Sequence, residues 1–465
     1  MSNSFQQDAA GDTGMAVKVM AEKIKEVAGS ALRPETGEIV RLQIKIPDVP
    51  VLPWLAAQKD SPKVYWSDRE NEFEVAGVGV ADLVTGDTWF DHDHLFGRIR
   101  RQMSDNNKDL RYYGGLRFGH KSISGADRPW KGFGCCWFIL PRFEISRGLD
   151  ATYFVCNLVP RKDIDDLAAV LARLNAITLN GRHAEQPMPS IKGRRDTPDR
   201  KEWKDMFDAA MQAIDQGKLK KVVLARRTTL EFSEGPDPVF LLERLKTHSD
   251  GCFHFCLQVD SNTAFIGASP ELLYQRQGKT IKSEAVAGTR LRGETHEADE
   301  RLGQQLLSCE KDVTEHAYVV KSVDKILSRL CRSHVNNGGN PPAGLLKLER
   351  VQHLVSGFKG ELADGITDPE ILRSLHPTPS VGGYPTPQAI SMIDNLEPFD
   401  RGWYAGPVGW VGFDAAEFAV GIRSGLIDGR DLHLFSGAGI LDASIQQEEW
   451  EEIENKLSSF IKALS

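Results

Sequence analysis

Apolar positions along the chain recur at helical spacing in a few long stretches and alternate with polar ones in many short ones. Residues 17–32 follow a helical period with interleaved Lys and Glu, which predicts a surface helix. Between residues 41 and 158 the rhythm becomes short apolar runs broken by Gly, Asp and Pro, predicting strands at 41–46, 72–80, 136–140 and 153–158. A helix is predicted over 163–175. A polar, Pro-rich stretch at 180–200, with the basic cluster Lys192-Gly-Arg-Arg195, reads as an exposed connector. Beyond it, Trp203, Phe207, Met211 and Ile214 fall on one helical face, and Gly217 stands where a helix would end. Strands are predicted at 221–227, 252–259, 263–268, 274–277 and 280–283, then one long helix over 298–331 and a short one over 369–375 that His376-Pro-Thr-Pro379 stops. The last third alternates Gly-rich strands (405–413, 417–426, 432–436) with a final helix over 446–464. Helices and strands come in blocks rather than in strict alternation, so the fold class is α+β and not a doubly wound sheet.

Composition narrows the function. The 465 residues carry a net charge of −8, without the basic excess of a nucleic-acid binder. Forty-one per cent of residues are hydrophobic, enough for a sizeable core, and no apolar run reaches membrane-spanning length. Residues 1–14 are polar and read as a disordered tail without a signal core, which makes the cytoplasm the expected location. Seven cysteines without CxxC or other metal-like spacing read as small buried hydrophobes in a reducing compartment. The segment Gly77-Val-Gly-Val-Ala-Asp82 lacks the third glycine of a dinucleotide fingerprint and reads as a turn at a strand end. Three parts are expected: the tail 1–14, an N-terminal sheet-containing part 15–195, and a catalytic region 200–465.

Four constellations can carry chemistry. On the last helix, Trp450, Ile453, Leu457 and Phe460 form an apolar stripe, while Glu449, Glu452 and Lys456 share another face. A small-residue loop, Phe435-Ser-Gly-Ala-Gly-Ile440, precedes that helix and would let backbone N–H groups approach an anion. In Glu310-Lys-Asp-Val-Thr-Glu-His316, Asp312 and Glu315 point the same way; two helices each presenting a carboxylate pair could hold Mg²⁺, or each pair could be a solvated face. Glu271 projects from a tight turn after a strand. Lys221 begins a core-like strand, either as an edge residue or as a buried amine suited to act as a base.

Taken together, these segments resemble one family. Lys221-Val-Val-Leu-Ala-Arg, Gly267-Ala-Ser-Pro-Glu-Leu, Ser283-Glu-Ala-Val-Ala-Gly-Thr-Arg290, Glu310-Lys-Asp-x-x-Glu-His316, Leu375-His-Pro-Thr-Pro379, Ile422-Arg423 and Ser436-Gly-Ala-Gly-Ile440 followed by Glu449-Trp-Glu-Glu452 are similar to the motifs of the chorismate-utilising enzymes. The resemblance runs from about Trp203 to Leu464. It implies a large α+β fold of two stacked sheets wrapped by helices around a Mg²⁺-dependent site. It also implies roles: Lys221 as the base that activates water, Glu271 as the acid for the departing hydroxyl, and Glu315 and Glu452 as Mg²⁺ ligands with Asp312 and Glu449 behind them. Arg423, Lys456, Gly437 and Gly439 would hold substrate carboxylates, with Gly288, Thr289 and His376 completing the substrate site.

Within the family, the branch that uses a lysine nucleophile carries it where this chain has Ala287, and the ammonia-using branch lacks a lysine at the position of Lys221. Water is therefore the expected nucleophile, and no glutaminase subunit is expected. Residues 375–385 and 399–409 most resemble the isochorismate synthases of menaquinone-type pathways, and a siderophore pathway is the other setting the resemblance allows. Ser380 stands where the family usually has Ala. A salicylate synthase, which also eliminates pyruvate, and a non-catalytic chorismate-binding homologue are the alternative readings.

Overall fold

The structure is a computed structural model that describes residues 13–29, 39–86, 92–104, 107–119, 129–180, 187–336 and 344–464. Residues 1–12 of the expected tail lie outside these, and the helix Thr13–Gly29 already includes the tail's last two residues.

Among the described residues twenty strands, all paired antiparallel, form two limbs that share a pair of long strands, Glu74–Gly86 and Cys136–Arg147. One limb runs from Glu74–Gly86 through Lys63–Ser67, Phe253–Gln258, Thr263–Ser269, Ser424–Asp428 and Asp431–Ile440 to Lys221–Phe232. The other leaves Cys136–Arg147 through Arg111–Leu116, Pro407–Gly412, Ala415–Val420, Leu272–Gln277 and Thr280–Leu291 to Val351–Leu362. The expected α+β, two-sheet architecture is present, with the sheets joined through shared strands. The chain crosses between its halves repeatedly: Lys63–Ser67 pairs with Phe253–Gln258, and Arg111–Leu116 with Pro407–Gly412. Strands from before residue 195 therefore brace strands that follow residue 200. One apolar core gathers Trp203, Phe265 and Trp403, and a second gathers Trp54, Leu241 and Leu457.

Several elements differ from the sequence-based expectation. Gly77 to Asp82 lies inside a strand and not at its end, where the ladder slips between Val80 and Asp82 and Gly79 takes φ 69°, a glycine-type bulge. In the expected connector, residues 181–186 fall outside the described ones, and Ile191–Thr197 is an edge strand on Lys221–Phe232. The long helix is two, His296–Ser308 and Glu310–Leu330, because Cys309 turns extended (φ −73°, ψ 115°) and starts a new helix whose first turn holds Glu310 and Asp312. Negative charge suits that helix start. The expected small-residue loop 435–440 is the end of strand Asp431–Ile440: pairing with Lys221–Phe232 overrides the weak strand propensity of Gly and Ala. The expected strand over 417–426 is split by a kink at Gly421 to Arg423.

Candidate active site

The kink is the clearest sign of a functional position in the backbone. Arg423 takes φ 49°, a left-handed conformation that costs a non-glycine residue about 1–3 kcal/mol and persists only where surrounding contacts impose it. Those contacts are present: the Arg423 carbonyl accepts from Ala268 N–H at 3.0 Å, and its guanidinium donates to the Lys456 carbonyl at 3.1 Å. The result aims Arg423 into a cleft between the limbs, lined also by Glu271, Gly288, Thr289, Glu315, Gly437, Glu452 and Lys456. Val286, Val381, Ile422, Tyr404 and Phe435 give the cleft an apolar wall, with the last two rings stacked at 5.3 Å.

Lys221 opens the strand Lys221–Phe232, with its side chain 0% exposed, whereas Lys220 points to solvent, as the two-residue period of a strand requires. The buried-amine reading is the one the structure shows. Its ammonium meets Glu315 Oε1 at 2.9 Å. Gly439 makes this approach possible: a Cβ there would lie 2.5 Å from Glu315 Oε1 and 3.0 Å from Lys221 Cε.

Glu271 sits between the strands Thr263–Ser269 and Leu272–Gln277, and its backbone is held on both sides. Val420 N–H donates to its carbonyl at 3.0 Å, and its own N–H donates to Ser269 Oγ at 3.3 Å. The side chain is 2% exposed. Burial lifts its pKa to about 7, against a hydrogen bond from Ser380 and the field of Lys221 that favour the anion. Glu271 is thus a carboxyl that holds its proton near neutral pH.

The four carboxylates expected to surround a metal are each joined to a cation. Glu315 pairs with Lys221, Glu452 with Lys456 at 2.5 Å, Glu449 with Lys311 at 2.6 Å, and Asp312 with Arg290 at 3.1 Å. Glu315 and Glu452 face the cleft, while Asp312 and Glu449 stand behind it. Among the described residues no three His, Cys, Asp or Glu side chains converge closely enough to cage an ion as they stand. The donor set nonetheless fits a hard cation, being all carboxylate. Burial works against the Lys311 ammonium, yet Glu449, Glu452 and Glu315 together outweigh it and raise its pKa, so three of these groups already share one positive charge. Burial and the Glu452 charge raise the pKa of Glu449; in Glu452 burial is overcome by Lys456, which keeps that carboxylate ionised.

Arg423 is the exception to this pairing. No carboxylate stands within ion-pair distance of it among the described residues, and burial lowers its pKa, the signature of a cation that still wants an anion. Lys456 lies alongside, donating to the Gly437 carbonyl at 2.8 Å. Gly437 and Gly439 turn their backbone polar groups away from the neighbouring strand, the Gly439 carbonyl accepting from Ser444.

Ten of the thirteen expected site residues line the cleft or, like Lys221 and Gly439, lie against its lining; Asp312 and Glu449 form its outer layer, and His376 is the one that stands apart. Its imidazole is bound to the Phe118 carbonyl at 2.9 Å and set edge-on to the Phe118 ring, and burial lowers its pKa to about 4. It supports the turn that carries Thr378 and Ser380. Sequence reasoning missed three contributors. Ser380 contacts Glu271. His353 lines the cleft with Nδ1 bound to the Gly288 carbonyl at 3.0 Å, and burial lowers its pKa to about 3. Arg401 is fully enclosed against Glu397 and ties down the Val223 and Val381 carbonyls at 2.7 and 2.8 Å. An arginine four residues after a glutamate was the only signal for that last pair.

Comparison with known proteins fits this geometry. A family model described as chorismate binding enzyme matches residues 23–465, so the likeness extends well before the motifs that begin near Trp203. The chain is 34% identical to the chloroplastic isochorismate synthase of Catharanthus roseus, over 86% of this chain and 69% of that protein. It is 30% identical to an isochorismate synthase of Haemophilus influenzae, over 94% and 95% of the two chains. The solved structure of the menaquinone-specific isochorismate synthase from Escherichia coli superposes with a TM-score of 0.84 at 27% identity, covering 97% of this chain and all of that one.

Proposed function

The chain belongs to the family of chorismate-binding enzymes, and from that premise we propose that it is an isochorismate synthase, an isomerase that adds water at C2 of chorismate and expels the C4 hydroxyl. In its neutral amine form, Lys221 Nζ takes a proton from the attacking water as the water oxygen bonds to C2. The ring double bonds shift, the C4–O bond breaks, and Glu271 gives its proton to the hydroxyl, which leaves as water. The observation that carries this reading is a carboxyl with a pKa near 7 in a cleft bordered by a buried lysine: a poor leaving group needs an acid that is still protonated, and water needs a base. The unpaired Arg423, with Lys456 beside it, supplies the positive charge a dicarboxylate substrate requires, and the apolar wall accommodates its ring.

Mg²⁺ is the cofactor of this proposal: Glu315 and Glu452 would hold it, with Asp312 and Glu449 behind them, and it would offset the charge of a substrate carboxylate. Because the base is present and Ala287 lacks an amine, the enzyme works with water and without a glutaminase subunit. On the same reading no nucleic-acid or membrane partner is expected. All seven cysteines are free thiols, which suits the reducing cytoplasm. A menaquinone pathway is the setting suggested by the relatives. Incubation of the purified protein with chorismate and Mg²⁺, followed by product separation and a lactate dehydrogenase-coupled pyruvate assay, tests the function. Isochorismate accumulating without pyruvate is expected. Stoichiometric pyruvate with salicylate would identify a salicylate synthase, and substrate binding without turnover would identify a non-catalytic homologue.

A further inference from the structure

The turn 376–380 delivers a hydroxyl to Glu271, the one carboxyl of the cleft with no ion-pair partner among the described residues. Ser380 Oγ donates to Glu271 Oε1 at 2.5 Å, and Thr378 Oγ1 lies 2.5 Å from Ser380 Oγ. A serine has one proton to donate. If it goes to Glu271, Thr378 must donate to Ser380, which gives the chain Thr378, Ser380, Glu271 a single direction. Thr378 is itself buried. We propose that Ser380 is a positioning residue for Glu271: by donating to Oε1 it leaves the proton on Oε2, the oxygen free to face the substrate, and it steadies the carboxylate that forms when that proton is delivered.

Other groups that bear on Glu271 do not duplicate this role. Lys221, from the strand Lys221–Phe232, and Lys456, from the helix Gln446–Ala463, favour the anion by charge alone. Glu284, from Thr280–Leu291, opposes it but is held by Arg69 at 2.6 Å. Tyr404 contributes a neutral phenol whose own pKa burial raises to about 12. Only Ser380 touches a carboxyl oxygen with a directed donor among the described residues. Alanine at this position would leave orientation to packing.

The inference rests on Glu271 being the acid, and its test separates the two claims. The pH dependence of kcat/KM is measured for wild type, S380A, S380T and E271Q, together with the infrared carboxyl band that E271Q deletes. A donor to a charged acceptor is worth more than one to a neutral acceptor, so S380A should lower kcat about five- to tenfold with KM within about twofold, and move the alkaline limb and the infrared midpoint up by about one pH unit. S380T keeps a hydroxyl and should restore both. If E271Q turns over normally, the acid assignment itself fails. If E271Q is inactive while S380A leaves limb and midpoint unmoved, the acid stands and the role of Ser380 is refuted. A kcat loss in S380A that S380T does not repair, with the midpoint unmoved, would reduce Ser380 to packing and also overturns the proposal.

Discussion

Glu271 and Glu315 border the same cleft, yet their environments are opposite. Glu315 has an ammonium at 2.9 Å, and every other carboxylate of the cluster has a cation of its own. Glu271 has only hydroxyl and backbone partners, and burial lifts it to about 7. Enclosure alone therefore does not decide what a carboxyl does here; the partner does. Glu452, with Lys456 against it, stays ionised and able to serve a metal, whereas Glu271, with no cation against it, holds its proton up to near neutral pH.

The largest effects should come from breaking that contrast at its ends. Lys221→Ala and Glu271→Gln should each lower kcat by roughly 10²–10⁴-fold in steady-state assays of chorismate consumption, the range expected of general acid–base groups. Variants within a few-fold of wild type would undo the assignment. Glu315→Gln and Glu452→Gln should come next, raising the Mg²⁺ concentration for half-maximal activity or abolishing turnover, whereas Lys456→Ala should raise KM for chorismate more than the Mg²⁺ requirement. Magnesium titrations at fixed chorismate, and the converse, distinguish these.

Stability should respond in opposite senses at Glu271 and at Arg401. The folded-state pKa of Glu271 is raised above its unfolded value of about 4.5, so its contribution is present below that value and is lost as pH rises through about 7. Removing the ionisable group in Glu271→Gln should flatten the decline of melting temperature over that window, leaving an inactive protein more stable than wild type at pH 8. Arg401→Ala should instead destabilise by about 3–5 kcal/mol in urea melts, because it takes the paired guanidinium away from the buried Glu397. The smallest effect is Gly439→Ala, whose methyl must displace the Glu315 carboxyl from Lys221; an overpacking cost of about 1–3 kcal/mol is expected, with a kcat loss smaller than that of Lys221→Ala. An unchanged kcat in Gly439→Ala would mean that the Lys221–Glu315 contact is not needed for turnover.

What could be read from the sequence follows from range. Strand Lys221–Phe232 and helix Gln446–Ala463 carry their own periodicity, so the facing of Lys221 away from Lys220 and of Glu452 alongside Lys456 was accessible locally. Motif resemblance then gathered Glu271, Arg423 and Glu315 into one site. Pairings between distant segments were not accessible: nothing near residue 63 or 111 announces a partner strand at 253 or 407. The same holds for Glu449 choosing Lys311, and for His376 turning to the Phe118 carbonyl rather than to the cleft. The run 435–440 misled because its small residues signal a loop in isolation, and only ten residues of pairing with Lys221–Phe232 hold it extended. Ser380 was visible as a departure from the family, but its meaning depended on Glu271 lying 2.5 Å away.

The central claim, that a base and an acid at this cleft exchange one hydroxyl for another drawn from water, is tested most directly by isotope. Turnover of chorismate with Mg²⁺ in H₂¹⁸O, followed by mass spectrometry of the isochorismate formed, should show one ¹⁸O atom in the product, at the C2 hydroxyl. Unlabelled isochorismate would mean that the C4 hydroxyl itself migrates, and would contradict the roles given to Lys221 and Glu271.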